Sequence, residues 1–478
     1  MSLGNQFEIY RYVANFNANG CPQLCNLPPG NCPAYGLSED CLYLSVFAPT
    51  KPPTNPAGYP VFFWIHGGAF EQGLGNCALY NATYFAEKGI VTVVTNYRLG
   101  ALGFTASESM DGNYGIKDQR LAMQWVQDNI AAFGGNPDLV TVGGQSAGAM
   151  SAGAHMVSEA SAGLYDRIIM ESNPLGLPFH TRESAKVNAD QLFAYLNCAS
   201  NDVPCMMAKS SDEILDAQAH GVELNLKNLL SNFLPFAPMV DGIDIKLQPF
   251  EAMRKGAFKP VPMLSGTVLD EGQLFVYELF TKPVRSTAYG GMLDVLFGVT
   301  KARQIEKKYP FEIYPGNTDG RNAFNVLATD LLFLCPLRNI SRGAESTMTA
   351  SKTSSFLYRF MHLLSFDAWG PNYQFCVGSV CHGSELPFVF NVFTDGATVS
   401  YTPTANEMLL TEDIMNAWAN FVTSGNPNNG DFKLPVAYPA YSQVSGDNQI
   451  VVDEPGSYQG SNIRSEYCDL WDRLGYEY

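Results

Sequence analysis

The sequence predicts an α/β fold: a central, mostly parallel β-sheet with helices on both faces. Short β-branched or aromatic runs recur along the chain, and helical patterns lie between several of them. The 478 residues are 46% apolar and 16% charged, ample for a sizeable buried core. Strand–helix alternation makes the sheet parallel, because each return to the sheet needs a crossover.

The strand-like runs are VFFWI (61–65), IVTVVTN (90–96), LVTVG (139–143), RIIMES (167–172), VPMLSG (261–266) and SFLYRF (355–360). Each is short and rich in residues that suit a buried strand. Between the second and third lies KDQRLAMQWVQDNIAAFGGNP (117–137). Its pattern predicts a helix with Leu121, Ala122, Trp125, Val126 and Ile130 on the buried face, stopped at Gly134–Pro137. No internal repeat, low-complexity tract or linker appears, so residues 1–478 are expected to form one domain with long insertions.

Lys and Arg number 29 and Asp and Glu 46, a net charge of −17. Such a surface repels phosphate backbones, which argues against a nucleic-acid partner, and favours solubility. No stretch approaches the roughly 18–20 apolar residues of a membrane helix. The start, MSLGNQFEIYRYV, has no basic residues followed by an apolar run, so no signal peptide is visible. The eleven cysteines form short-range sets: Cys21, Cys25, Cys32 and Cys41; Cys198 and Cys205; Cys376 and Cys381. Such sets suit an oxidising compartment. Zinc would need Cys and His at tetrahedral spacing. Only CVGSVCHG places a histidine beside cysteines, and that histidine has a better use, so no metal or cofactor is expected. Two sequons, at Asn81 and Asn339, agree with glycosylation and secretion. The expectation is a secreted protein whose signal is missing or already removed.

The chemistry centres on VTVGGQSAGAM (140–150). Gly144-Gln145-Ser146-Ala147-Gly148 is a G-x-S-x-G between an apolar strand and a small-residue helix, the context of a nucleophile elbow. The glycines leave room where side chains would clash, and the helix start offers N–H groups to a developing negative charge. A serine hydroxyl needs a base, and the base an orienting acid. The chain has six histidines. His180 and His220 sit in peripheral segments, and His362 ends a strand. His382, in CVGSVCHGSELPFVF, lies on a Gly/Ser-rich loop of the kind that carries function. Upstream, VPMLSGTVLDEGQLF supplies Asp270 and Glu271, either of which could be the acid. FFWIHGGAF turns at His66-Gly67-Gly68, where backbone N–H groups can point at a reacting carbonyl. His66 there is expected to fix the loop rather than to act as base.

With these motifs in hand, the chain resembles the type-B carboxylesterases, the carboxylesterase, cholinesterase and fungal lipase family of α/β-hydrolases. The resemblance runs from about Cys21 to Cys468. It rests on SEDCLYLSVFAP (38–49), WIHGGAF (64–70), NYRLGALGF (96–104), GNYGIKDQRLAMQWV (112–126), FGGNPDLVTVGGQSAGAM (133–150), PMVDG (238–242), DEG (270–272), HGSELPFVF (382–390) and WANFVTSGNPN (418–428), all in the family's order. It implies an α/β-hydrolase fold and a serine esterase acting on small-molecule esters. It implies Glu271 as acid, His382 as base, Gly67, Gly68 and Ala147 as oxyanion donors, and Ser172 as a second serine supporting the histidine. It pairs Cys21 with Cys41, Cys198 with Cys205 and Cys335 with Cys468. Cys25–Cys32 and Cys376–Cys381 would be extra bridges, leaving Cys77 unpaired.

Three departures from the family pattern stand out. The usual N-terminal arginine that pairs with the glutamate of SED is absent, so Glu39 is expected to pair with Arg98. The loop between Cys21 and Cys41 holds only Tyr35 as an aromatic, so the choline-binding tryptophan of cholinesterases is not carried over. Gln145 replaces the usual glutamate beside the serine, which favours neutral esters. A lipase acting at lipid interfaces is the near alternative; it would need an apolar lid, and the Cys21–Cys41 segment is short and rather polar. A non-catalytic adhesion member is the distant one, and such members typically lack the serine. Acyl length, natural substrate and oligomeric state are not written in these motifs.

Overall fold

A computed structural model of the chain describes residues 18–28, 30–222, 229–394, 396 and 400–476. Its strands are β1 (Leu44–Phe47), β2 (Tyr59–Ile65), β3 (Val91–Thr95), β4 (Gly135–Gln145), β5 (Arg167–Glu171), β6 (His180–Thr181), β7 (Met239–Val240), β8 (Met263–Val268), β9 (Ser355–Phe360), β10 (Gln449–Val452) and β11 (Tyr458–Gly460). Nine form one sheet in the order β1-β3-β2-β4-β5-β8-β9-β10-β11, and β6 pairs with β7 separately. The core of the large sheet, from β3 through β10, is parallel. Only β1 and β11, at the edges, run antiparallel to their neighbours.

All six predicted strands are present, shifted by a few residues at their ends. The unforeseen β1, β10 and β11 are edge or near-edge strands of three or four residues, too short for a clear period-two signal.

Strand β2 shows why both faces need helices. Val61, Phe63 and Ile65 enter one apolar core with Ile116, Met123 and Val126 of the helix Tyr114–Asn129 and with Ala149 and Met150 of the helix Ala147–Val157. Phe62 and Trp64 enter the other core, with Leu410, Ile414 and Trp418 of the helix Ala405–Ser424. Successive side chains point to opposite faces, so a strand apolar at every position is buried on both. Each such residue contributes about 1.5–3 kcal/mol on burial.

The helix Tyr114–Asn129 corrects one expectation. Leu121 is 67% exposed, while Ile116, Asp118, Gln119, Met123 and Val126 form the buried face. Polar partners explain the rotation. Asp118 takes the Arg98 guanidinium at 2.7 Å, and Gln119 donates to Ser151 and bonds His155, both at 3.0 Å. The same ion pair corrects a second expectation: Arg98 belongs to Asp118, and Glu39 is exposed. A third correction concerns apolar length. The helical run Gly320–Ala350 is long and apolar enough to cross a membrane by composition, yet 89% of that window is buried inside the protein. It is a core element, interrupted by the buried Asp330 and Arg338.

Five disulfides join Cys21–Cys41, Cys25–Cys32, Cys198–Cys205, Cys335–Cys468 and Cys376–Cys381. Cys77 is free and buried, and burial pushes its thiol up to about 12. Cys335–Cys468 spans 133 residues and ties the last described helix, Ser465–Leu474, to the core. Closing a loop of that length is worth about 5 kcal/mol in the chain-entropy model. The double variant Cys335→Ala/Cys468→Ala should therefore lose most of the stability that full reduction removes, read as denaturant midpoints. A variant matching the wild type would show that the bridge contributes little.

Candidate functional site

Ser146 sits between β4 and the helix Ala147–Val157 with φ 58° and ψ −123°, a conformation that costs a non-glycine residue of order 1–3 kcal/mol. Its neighbours show why glycine is required on both sides. A Cβ on Gly144 would stand 2.7 Å from the Ile65 carbonyl oxygen, and one on Gly148 would overlap that same oxygen. The elbow is thus wedged against the end of β2. The strain holds the serine at the tip, and the Ser146 N–H is anchored on the Glu171 carbonyl at 3.0 Å.

His382 and Glu271 meet across 111 positions of sequence. Glu271 follows β8 and is fully buried. Its Oε1 accepts the Val268 N–H at 2.8 Å, and its Oε2 lies 2.6 Å from His382 Nδ1. Asp270 faces elsewhere: it accepts the Val380 N–H at 3.1 Å and the Asn325 amide at 3.2 Å. The structure thus brings Glu271, not Asp270, to the histidine. Among the described residues, His382 Nε2 has Gln145 Nε2 as its hydrogen-bond partner, at 3.2 Å. With the Nδ1 proton held by Glu271, Nε2 is an acceptor and the Gln145 amide donates to it. The rings of Phe275 and Phe333 flank the imidazole, with centroids at 5.0 and 5.3 Å.

Ser146, Gln145 and His382 line one cavity of about 320 Å³, together with Gly67, Gly68 and Ala69. Gly68 lies at φ 107° and Ala69 at φ 58°. A Cβ on Gly68 would overlap the Gln72 carbonyl, so only glycine allows this turn. Ala69 was not foreseen, because alanine gives no hint of a left-handed backbone. Ala147 lies behind the serine as the first residue of its helix, where the N–H has no partner within the helix. His66 is buried, stacks on Tyr97 with centroids 4.4 Å apart, and contacts the Gly67 carbonyl through Nδ1 at 2.7 Å. Burial pulls it down to about 4, so it stays neutral and fixes the loop.

Ser172 is buried at φ 50°, but its hydroxyl donates to Glu385 at 3.3 Å rather than to the histidine. Glu385 and Glu171 carry no signal of their own in the sequence. Both are buried, and Glu171 accepts the Trp418 indole N–H at 2.7 Å. Burial pushes Glu171 up to about 8 and Glu385 well above the usual carboxylate range, where the Glu171 and Glu271 charges add to the effect. Two uncompensated carboxyls cannot both ionise in such a site. Within the cavity wall, Glu71 and Glu278 were also unforeseen. Burial raises both, Glu71 to about 7.

The remaining histidines have other work. His362 pairs with Glu407 at 3.0 Å, His155 and His180 are buried in hydrogen bonds, and His220 pairs with Asp216 on the exposed face of its helix. Asn81 is exposed. Asn339 lies inside the helix Cys335–Ala350 and donates to Asp472 at 2.8 Å. No group of three or more His, Cys, Asp or Glu among the described residues could hold a metal ion. A larger cleft of about 510 Å³, under Asn173–Phe179, contains none of the candidate catalytic residues.

The profile of the Carboxylesterase family matches residues 10–471. The chain is 36% identical over 461 residues to the crystal protein of Dictyostelium discoideum, a match covering 95% of this chain and 81% of that protein. It is 32% identical over 463 residues to the acetylcholinesterase of Bungarus fasciatus, covering 92% of this chain and 73% of that one. The solved structure of a PNB esterase superposes with a TM-score of 0.76 at 30% identity, covering 95% of this chain and 88% of that one.

Proposed function

The chain belongs to the carboxylesterase family and is a carboxylic-ester hydrolase, and we propose that it cleaves small esters by two-step acyl transfer on Ser146. The observation that carries this reading is the 2.6 Å contact of Glu271 with His382, whose ring shares a cavity with Ser146. In the first step Ser146 Oγ attacks the ester carbonyl carbon and His382 Nε2 takes its proton. The oxyanion accepts N–H groups from Gly67, Gly68 and Ala147, with Ala69 beside them. The tetrahedral adduct collapses, and the alcohol leaves with the proton from His382. In the second step water attacks the acyl-enzyme through the same base, and the carboxylic acid departs. Residues 1–478 act as one catalytic domain in this reading. Its acid and base lie 111 positions apart.

Two features support an esterase for neutral substrates over an interfacial lipase. The segment 21–41 reaches the cavity rim with Leu27, Pro28 and Asn31. It is tied by two disulfides, which suits a fixed rim rather than a hinged lid. Beside the nucleophile, Gln145 offers a neutral amide where a carboxylate would attract a cation, and burial moves Glu71 and Glu278 toward their neutral forms. Disulfide-rich construction supports an extracellular location, with exposed Asn81 as the glycan site.

Hydrolysis of p-nitrophenyl esters of increasing acyl length, with and without micelles, tests the reading. Short soluble esters should turn over without a jump at the micelle threshold, and a neutral ester should exceed the choline ester of the same acid in kcat/KM. A jump at the threshold would indicate a lipase. No turnover at all would leave an adhesion role.

Gln145→Glu probes the amide directly. A carboxylate at that position would face His382 Nε2, and it favours the protonated imidazole. The base is then lost at a higher pH on acidification. The acid limb of the kcat/KM–pH profile, which reports the free enzyme, should move to higher pH, and choline esters should gain on neutral ones. An unmoved limb would reduce Gln145 to packing.

A further inference from the structure

The cavity that holds Ser146 and His382 carries two further acids in its wall, Glu71 and Glu278, and neither lysine nor arginine among the described residues. We propose that Glu71 is a specificity-determining residue that binds a hydroxyl group of the substrate, so that the esters best suited to this cavity carry a free hydroxyl besides the ester bond. This rests on the reading of Ser146 as the nucleophile.

The two acids differ in what they already hold. Glu278 accepts the Tyr373 hydroxyl. Glu71 has no hydrogen-bond or ionic partner among the described residues, and burial alone shifts it, with no donor to hold its charge. Its oxygens are nevertheless not sealed in the interior, unlike Oε2 of Glu171 and of Glu385. The backbone explains the placement. The Glu71 and Gln72 N–H groups both bond the Gly68 carbonyl at 3.0 Å, so the chain folds back directly after the Gly67–Gly68 turn and keeps Glu71 in the wall. The Gln72 side chain accepts the Asn26 N–H at 2.8 Å, which ties this turn to the segment 21–41. Glu71 is left with an open carboxyl in the wall that the substrate must pass.

The surroundings define the ligand class. A partly buried carboxyl without a donor is incompletely satisfied, so the partner it lacks is a donor. A substrate carboxylate would meet two acids of its own sign. A quaternary ammonium has no N–H to give. A hydroxyl suits Glu71 in both protonation states, donating to the carboxylate and accepting from the acid. It also leaves the substrate neutral, as the Gln145 amide beside Ser146 favours. Leu274, Phe275 and Trp369 make other parts of the wall apolar, and against such surface a hydroxyl binds less well than a methyl group because it gives up water without a partner. A preference for hydroxyl over methyl in this cavity therefore reports a specific acceptor.

The test uses two pairs of esters that differ only by hydroxyl against methyl: 2-hydroxyethyl butyrate against propyl butyrate, and propyl 6-hydroxyhexanoate against propyl heptanoate. In at least one pair the wild type should prefer the hydroxyl ester by about tenfold in kcat/KM, mainly through KM because the contact is remote from the reacting carbonyl. A response in the first pair places the hydroxyl in the leaving alcohol, and one in the second places it in the acyl chain. E71L should remove or reverse the preference, and E71A replaces it if E71L does not fold. A wild type that favours the methyl ester in both pairs, or an E71L that keeps the wild-type ratio, overturns the proposal. If the wild type cleaves none of the four esters, the reading of Ser146 fails by itself, and binding decides the role of Glu71. Ligand-observed NMR titration of S146A should then give tighter binding of a hydroxyl ester than of its methyl counterpart, and S146A/E71L should lose the difference. Equal affinities in S146A remove the hydroxyl site.

Discussion

Ser146→Ala should reduce kcat/KM for any ester the protein cleaves by on the order of 10⁵–10⁶-fold, while leaving the fold intact. Alanine retains the backbone of the elbow and adds no volume. The backbone anchors of the turn, the Ser146 N–H on Glu171 and its carbonyl on Met150, do not involve the hydroxyl. The contact between Gln145 and His382 also remains. A thermal midpoint near that of the wild type should therefore accompany the loss of turnover. A serine-directed organophosphate should label the wild type once, at Ser146, and leave the variant unlabelled. Full activity in the variant, or labelling at another serine, would remove the central assignment.

Glu271→Gln should cost about 10³–10⁴-fold in kcat, and the hydrogen bonds give the reason. Glu271 accepts twice, from the Val268 N–H and from His382 Nδ1. A glutamine can accept through its oxygen but must present its NH₂ group to one of these two neighbours. If the oxygen stays on Val268, the amide N–H groups face the imidazole. They select the tautomer with the proton on Nε2, which cannot take the serine's proton. The amide also cannot stabilise the imidazolium that forms in the transition state. Asp270→Asn removes no group from the histidine, so its effect on kcat should be no more than several-fold, with any larger cost appearing in stability. Steady-state kinetics on the two variants compare them directly. The reverse order of effects would transfer the acid role to Asp270.

Much of the site was legible in the sequence because its chemistry is local. The elbow needs an apolar strand, two glycines and a small-residue helix in succession, all within 140–150. The same holds for the turn at Gly67 and Gly68, and for the strands buried on both faces. What escaped depends on contacts between distant segments. Leu121 faces solvent because Asp118 and Gln119 find Arg98, Ser151 and His155 across the core, and periodicity cannot see those partners. Glu171 and Glu385 read as ordinary acidic residues until β5 and the loop after Cys381 bring them together beneath Ser172. In the sequence, the choice between Asp270 and Glu271 rests on the family resemblance. In the fold it follows from position: Asp270 precedes the helix and bonds the neighbouring loop, whereas Glu271 begins the helix Glu271–Leu279 and reaches the imidazole. Ala69 shows the same limit at a single residue, since its φ of 58° is set by the turn around it.

From β4 onward the sheet is laid down in the order of synthesis, with β4, β5, β8, β9, β10 and β11 standing side by side. A chain that emerges N-terminus first can add each of these strands to the edge left by the one before, with no threading. The growing edge is always the strand most recently made, so the surface prone to unwanted pairing is renewed and covered as translation proceeds. The elbow serine stands early in this sequence, while His382 arrives only after β9. In the proposed mechanism a nascent chain therefore carries its nucleophile for a long interval without its base. If Ser146 and His382 act as proposed, hydrolysis has to wait until β8 and β9 have joined the sheet.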